Sequence, residues 1–504
     1  MKKEILRMER VTYKEEETTY LKDFELNVFS GEIVGLLPVN AYGLPQLLSV
    51  LRENPLLYAG YMYYKERLVN SRQNSNSWQA GKNYDKRIAV ISDQTSLVEG
   101  QSVLTNIFIL RQGFRQELIR KKLLKSQLQP FLDEIEVEIE ADTLVEKLSS
   151  FERLVVELLR AVVADYRLIV MREIGTLVNE GELEKIHAFM KHYAKQGFSF
   201  LYISPHFEEI LQICGRAVVM SNGKVIKALA GEQMQAQTLN FYSEEYNAKV
   251  RHHIESLKER QSNKIVFEGR HLCGDVIFNF NLKVAQGECV VIQSLEEGIF
   301  RDLYLLFQGE KQDEIHPGTC YLEGRTTKIC GDRGIAFIRE EPTETMLFYD
   351  MSYMDNLCIA MDHRVKNIWG NRKMKRCIRA DFEEILGENV FDKRMQELTE
   401  MEKYDLVYTR IMLQKPKIVF CVQPFKGADL RHRIHIWELQ EKLLRKGIAV
   451  VILAVNMADA LSLADRLVRI DKGTVVTEYQ RKDFGMLPRN IPWKALYDEN
   501  GRIP

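Results

Sequence analysis

Uninterrupted apolar runs alternate along this chain with segments whose apolar residues recur at helical spacing. RLIVM (167–171), FSFLYIS (198–204) and RAVVMS (216–221) are continuous runs, the pattern of strands buried on both faces, because a strand with one wet face alternates apolar and polar positions. ELEKIHAFMKHYAKQG (182–197) separates two of them with the period of an amphipathic helix. Each half of the chain reads in the same order: a β-rich start, a glycine turn, a buried strand, a helix, a polar helical insert, then alternating strand and helix. Strand and helix alternation with long crossovers predicts a largely parallel α/β sheet.

The two halves repeat one another. Asn106 in SVLTNIFI returns as Asn356 in SYMDNLCI, Leu148-Ser149 as Leu398-Thr399, Arg160 as Arg410, and Arg216 as Arg466, each 250 positions later. A glycine-glutamate turn before an apolar strand also returns, Gly31-Glu32 as Gly287-Glu288, at an offset of 256. A fixed offset of this size means one domain pattern written twice. Residues 1–240 and 263–485 are the expected domains. Between them, 241–262 (FYSEEYNAKVRHHIESLKERQS) lacks glycine and proline and suits a helical connector, and 486–504 is left as a tail.

Composition narrows the class. At 504 residues, 45% hydrophobic and 28% charged, the chain is an ordinary globular one, long enough for two cores. Seventy basic against seventy-one acidic residues leave a net charge of -1, so nothing global points to nucleic acid or an anionic membrane surface, and any such contact has to be local. No apolar stretch follows the two early lysines as a signal peptide would need, so a cytoplasmic protein is expected. The longest apolar runs, such as Gly447 to Ala454, fall short of the roughly 20 residues of a spanning helix, so membrane attachment is expected through a partner. Of eight cysteines only Cys214 lies in the first half, and none has zinc-site spacing; reduced and mostly buried thiols are expected, with no metal cluster.

LSSFERLVVELLRAVVADYRLIVMREIGTL, followed by YISPHFEEILQICGRAVVMSNGKVI, resembles the signature motif, Walker B strand, H-loop region and closing strand of one family: the tandem ATP-binding subunits of bacterial sugar importers of the ribose and galactoside type. LTEMEKYDLVYTRIMLQKPKIVFCVQPFKGAD and RLVRIDKGTVV follow the same order in the more divergent second half. The resemblance spans nearly the whole chain. It implies two tandem ABC-type nucleotide-binding domains, each with a mostly parallel P-loop-like sheet core, an antiparallel β subdomain and a helical insert near 100–145. It further implies ATP as ligand, integral-membrane permease subunits as partners at the inner face of the cell membrane, a substrate-binding protein reached indirectly, and closure of the halves within one chain or in a homodimer.

The chemistry expected at such a site is largely absent. A phosphate loop needs glycines so that backbone N–H groups can wrap the β-phosphate, a lysine for its charge and a hydroxyl for magnesium. The corresponding loop runs from Pro38 through Asn40, Ala41, Tyr42, Gly43 and Leu44 to Pro45: Gly43 fits, but Leu44 stands for the lysine and Pro45 for the hydroxyl. Pro45 still suits a first helical turn, so strand-loop-helix shape is expected to outlast the chemistry. Arg172 replaces the magnesium-orienting aspartate, while Glu173 matches the catalytic base; without metal, a glutamate hydrolyses poorly. Arg172 has two readings, a guanidinium for phosphate or a strand-end partner for a nearby carboxylate.

At the Q-loop position, Asp93 and Gln94 either sense a metal or water or form a surface turn. His206 is either the γ-phosphate contact, displaced by one residue, or a helix-terminal histidine. Tyr13 is the position that stacks on adenine in the family. In the second half SLEEGIFR (294–301) brings two glutamates to the loop, where they repel phosphate, and Cys421-Val422-Gln423-Pro424 lacks both Walker B carboxylates. Ser149 fits the signature serine, but Phe151 and Glu152 fill its glycine positions. The family pattern therefore implies weak ATP binding, doubtful magnesium binding and weak or absent hydrolysis, in an import subunit or in a pseudo-ATPase that acts as scaffold or regulator.

Overall fold

A computed structural model describes residues 3–40, 42–72, 88–92, 95–110, 121–242, 263–294, 297–308, 318–327, 332–361, 372–426, 428, 430–457 and 460–487. The described residues fall into two compact units, one within Met1–Glu245 and one within Tyr246–Pro488. Most of the expected connector and tail, with Ala41, Asp93 and Gln94, lies outside the described residues.

The first unit opens with strands β1 (Glu4–Glu15) and β2 (Thr18–Phe29), which join β4 (Ala59–Tyr64) and β5 (Arg67–Ser71) in an antiparallel sheet of order β2-β1-β4-β5. A second sheet takes β3 (Ile33–Pro38), β6 (Ile88–Ile91), β7 (Leu168–Arg172), β8 (Ser199–Ile203), β9 (Arg216–Ser221) and β10 (Lys224–Ala230) in the order β10-β9-β3-β8-β7-β6. Its pairs are parallel apart from the β9–β10 hairpin. All three apolar runs read from the sequence become central strands here, and β3 and β8 are buried at every position. Helices follow the strands: α1 (Leu44–Glu53) after β3, then α2 (Val103–Phe108), α3 (Lys121–Glu134) and α4 (Ser150–Val163) as the insert, and α5 (Glu180–Lys195), α6 (Phe207–Ile213) and α7 (Ala236–Tyr242). One core lies between the parallel sheet and the insert; the other fills the space between the two sheets.

The second unit repeats this arrangement. Strands β11 (Ile265–Leu272), β12 (Phe280–Ala285), β14 (Thr319–Leu322) and β15 (Arg325–Thr327) form the antiparallel sheet in the order β12-β11-β14-β15. The larger sheet contains β13 (Cys289–Ser294), β16 (Ile335–Ile338), β17 (Ile418–Val422), β18 (Ala449–Ala454), β19 (Arg466–Asp471) and β20 (Thr474–Gln480). Its order, β20-β19-β13-β18-β17-β16, is that of the first unit. Helices α8 (Glu297–Gln308), α9 (Tyr353–Cys358), α10 (Arg372–Leu386), α11 (Glu400–Gln414) and α12 (Leu430–Arg445) complete it.

The repeat extends to individual hydrogen bonds. Asn106 accepts from Val98 N–H and donates to its carbonyl, and Asn356 does the same with Phe348, also 250 positions on. Both are buried, so each amide satisfies a turn that would otherwise strand two backbone groups. Ser149 and Thr399 cap α4 and α11 through capping boxes with Glu152 and Glu402. Arg216 pairs with Glu32 at 3.0 Å and Arg466 with Glu288 at 2.9 Å, fixing each glycine-glutamate turn to the edge of its sheet. Gly31 and Gly287 sit there at φ 72° and 71°, where a side chain is disfavoured.

Of the seven described cysteines five are buried, as free thiols. No helix among the described residues is long and apolar enough to cross a membrane.

Candidate functional site

In open α/β sheets, ligands bind beyond the carboxyl ends of the strands. In the first unit the loop after β3, the turn after β7 and the loop after β8 all lie there, because β3, β8 and β7 are parallel neighbours. The structure thus gathers Asn40, Tyr42, Gly43, Leu44, Pro45, Arg172, Glu173 and His206 at one end of one sheet. Ser149 is elsewhere, at the start of α4, with its hydroxyl accepting from Glu152 N–H.

The loop after β3 is tied down by its own residues. Asn40 donates to Asn222 Oδ1 and accepts from Asn222 N–H, both at 3.1 Å, binding the loop to the β9–β10 turn. Tyr42 donates its hydroxyl to Thr19 O at 2.9 Å and stacks on Tyr20, with ring centroids 5.6 Å apart. Gly43 takes φ 82°, and a Cβ there would stand 2.4 Å from Tyr20 O. Leu44, at the lysine position, is 1% exposed and packs in the core between the sheets. Pro45 occupies the first turn of α1, as its fixed φ favours. The strand-loop-helix shape is present, with Asn40 and Tyr42 hydrogen-bonded within the protein and Leu44 turned into the core.

Tyr13 belongs to the same core and donates to Glu15 Oε1 at 3.3 Å. The exposed aromatic surface beside the loop is instead that of Tyr42, which the sequence marked only as a loop residue.

After β7 the chain turns at Glu173, whose φ of 50° is a left-handed conformation that a non-glycine residue adopts only when held there. Its N–H donates to Ile203 O at 2.8 Å. Arg172 ends β7 with its Nε 3.6 Å from Glu173 Oε1, the carboxylate-pairing arrangement. His206 is buried, immediately ahead of α6, and its N–H donates to Ser204 Oγ at 3.1 Å.

Behind these turns runs a buried polar chain that sequence reasoning missed. Ser204 and Tyr202 both donate to Glu209 Oε2 at 2.9 Å, and His187 Nε2 lies 3.1 Å from Tyr202 Oη. Because the tyrosine proton goes to Glu209, the Tyr202 oxygen accepts from His187, which fixes the tautomer with hydrogen on Nε2. Burial pushes the His187 imidazole down to about 4 and the Tyr202 phenol well up. Glu209 also explains Gly175, since a Cβ there would stand 2.4 Å from Glu209 Oε1. The signal was present as a glutamate on the buried side of a short helix, a position that demands partners.

A second buried cluster supports the segment that follows Asp93 and Gln94. Glu157 on α4 accepts from Ser96 N–H at 2.6 Å and from Thr95 Oγ1 at 3.0 Å, while Arg160 donates to Ser96 O at 2.8 Å. Burial raises the Glu157 carboxyl and lowers the Arg160 guanidinium, each held against that by the other. In the second unit Arg410 makes the matching bond to Met346 O at 2.7 Å, but Val407 stands in place of Glu157, and burial brings the Arg410 guanidinium down to about 10.

The second unit is closed differently. Asp302 on α8 is 3% exposed and accepts from the N–H groups of Asp275, Val276 and Ile277 at 3.0, 2.8 and 3.0 Å. A carboxylate of the protein itself thus fills a concavity of three amides in the β11–β12 hairpin. The sequence signal was a lone acid beside Ile299 and Leu303 on an otherwise apolar helix face. After β17, Gln423 takes the place of Glu173, with φ 42° and its N–H on Leu453 O. Its side chain donates to Glu340 Oε1 at 2.9 Å, and Lys426 donates to Glu340 Oε2 at 2.9 Å, so an ammonium of the chain sits at that strand end.

No family model matches the chain. The ribose import ATP-binding protein RbsA of Caldanaerobacter subterraneus subsp. tengcongensis is 24% identical over 490 residues, covering 95% of this chain and 97% of that protein. The xylose import ATP-binding protein XylG of Geobacillus kaustophilus is 22% identical over 508 residues, covering 96% and 97%. Among solved structures, a nucleotide-free ATP-binding cassette from an ABC transporter is 20% identical and covers 47% of this chain and 95% of its own, with a TM-score of 0.40. With one sheet topology written twice and a likeness that runs from end to end, the chain is a tandem ATP-binding-cassette fold, related along its whole length to the ribose and xylose import ATP-binding proteins.

Proposed function

We propose that this chain is the ATP-binding-cassette subunit of a sugar import system, binding ATP weakly at its first unit and hydrolysing it slowly or not at all. The observation that carries this reading is that the groups bordering the strand ends are committed to internal partners: Asn40, Tyr42 and Leu44 after β3 in the first unit, and Gln423 and Lys426, both on Glu340, after β17 in the second. Glu173 would be the remaining base and His206 the remaining γ-phosphate contact, but each sits in a buried, internally bonded turn. Gly43 and the N-terminus of α1, whose first turn Pro45 shapes without offering an N–H, supply the residual anion affinity. Asn40, Tyr42, Leu44 and Arg172 border that site, with Ala41, Asp93 and Gln94 placed there by the family pattern, and Tyr13 and Ser149 as its adenine and signature positions. Magnesium lacks its hydroxyl and aspartate ligands.

Permease subunits at the inner face of the membrane are the partners this reading requires, with a substrate-binding protein reached through them and a homodimer as one mode of closure. The domains are 1–240 and 263–485, joined by 241–262. The Glu340–Gln423–Lys426 cluster favours a second reading, a pseudo-ATPase whose second unit serves as scaffold or regulator: an ammonium held there needs no metal.

Titrating the purified chain with ATP, with and without magnesium, tests both. Affinity weaker than about 100 μM with no magnesium dependence and no phosphate release is the expected result. Micromolar, magnesium-dependent binding with steady turnover would refute it.

A further inference from the structure

Both helical inserts carry a basic cluster at their start, although the chain as a whole is neutral. Helix α3 opens with exposed Lys121 and Lys122, followed by Lys125, which pairs with Asp142. Helix α10 opens with Arg372 and Lys373 and continues through Lys375, Arg376 and Arg379. Lys375 pairs with Asp355 at 2.6 Å and Arg379 with Asp392 at 2.8 Å, so these two brace the insert. Arg372, Lys373 and Arg376 are exposed and make no hydrogen bond or ion pair among the described residues. Neither helix has an acid in its first turn.

The other side of α10 is already used. Ile378 is 4% exposed, and Met374, Phe382 and Leu386 pack against the same core. The exposed side of the helix carries Arg372, Lys373 and Arg376 together with Cys377, Ala380 and Asp381, with no large apolar side chain exposed among the described residues. We propose that each of these clusters by itself, Arg372, Lys373 and Arg376 on α10 and Lys121 and Lys122 on α3, binds anionic headgroups of the cytoplasmic leaflet beside the permease. The placement rests on the import-subunit reading; the chemistry does not. Of the two surfaces such a subunit meets at the membrane, permease loops and lipid, the lipid is favoured on charge. Cytoplasmic loops of membrane proteins carry an excess of lysine and arginine and would repel this face, whereas the leaflet attracts it.

The test uses the full chain alone, without permease or nucleotide, so that a failure of ATP binding leaves it undisturbed. Sedimentation with vesicles containing about a third phosphatidylglycerol should show binding that neutral phosphatidylcholine vesicles lack and that 0.5 M salt abolishes. Replacing Arg372, Lys373 and Arg376 with glutamine (R372Q/K373Q/R376Q) should weaken it on the order of 100-fold, with the K121Q/K122Q variant losing on the order of 20-fold, while circular dichroism and thermal unfolding stay unchanged. Equal binding to neutral vesicles, or undiminished binding by the triple variant, overturns the proposal. So does displacement by millimolar inorganic phosphate at constant ionic strength, which would assign the face to a free anion, or tighter binding of a single-stranded oligonucleotide than of the vesicles.

Discussion

Replacing His187 with glutamine should remove an acid-labile part of the first unit's stability. His187 is 4% exposed, and burial, with Lys191 on the same helix adding to it, takes its pKa from 6.5 down to about 4. At pH 7 the imidazole is neutral in the folded chain and mostly neutral in the unfolded one, so its contribution is only about 0.2 kcal/mol. As pH falls through 6.5 the unfolded chain takes up a proton that the folded chain refuses, so stability is lost on acidification, down to the folded value near 4.

At pH 5 the loss is about 2 kcal/mol, and below pH 4 it approaches about 3.4 kcal/mol, at 1.36 kcal/mol per pH unit. For a unit of this size the pH 5 loss corresponds to a fall of roughly 4–8 °C in Tm. Glutamine keeps an N–H for the Tyr202 oxygen but binds no proton. Calorimetry on the wild type and on His187→Gln at pH 7 and pH 5 isolates the effect, since the other titrating groups are common to both proteins. Equal acid losses in the two proteins would refute the reasoning.

The unequal arginine clusters make a second comparison. Arg160→Met strands the buried Glu157 carboxylate and should cost about 3–5 kcal/mol in denaturant unfolding, whereas Arg410→Met, with Val407 opposite, should cost about 1 kcal/mol or less. Gly223→Ala and Gly473→Ala place a Cβ 1.8 and 1.9 Å from the carbonyl oxygens of Tyr20 and Val276 at φ 71° and 74°. Each should lower stability by more than about 3 kcal/mol, against about 1 kcal/mol for Gly324→Ala, where φ is 80° but nothing lies within 4 Å.

What could be read beforehand followed from local pattern. Continuous apolar runs announced β7, β8 and β9 because a doubly covered strand has no wet face to encode. Asn106 and Asn356 revealed the repeat because a buried amide holding a turn tolerates few substitutes. The candidate site was legible only through the resemblance, which sets Leu44 and Pro45 where it implies a charge and a hydroxyl. What replaced them depends on neighbours distant in sequence. Tyr42 stacks on Tyr20 across the β2 strand, Asn40 meets Asn222, and Asp302 meets a hairpin 25 residues or more before it. Residue type announces that such groups need partners without saying which, because the partners are set by tertiary packing.

Asp302 also makes the hairpin of the second unit depend on one side chain of a distant helix. Removing its carboxylate would leave three backbone donors without an acceptor, each costing about 1–3 kcal/mol where it is buried. Selection for stability alone is therefore enough to keep an acid at that position, whatever the unit binds.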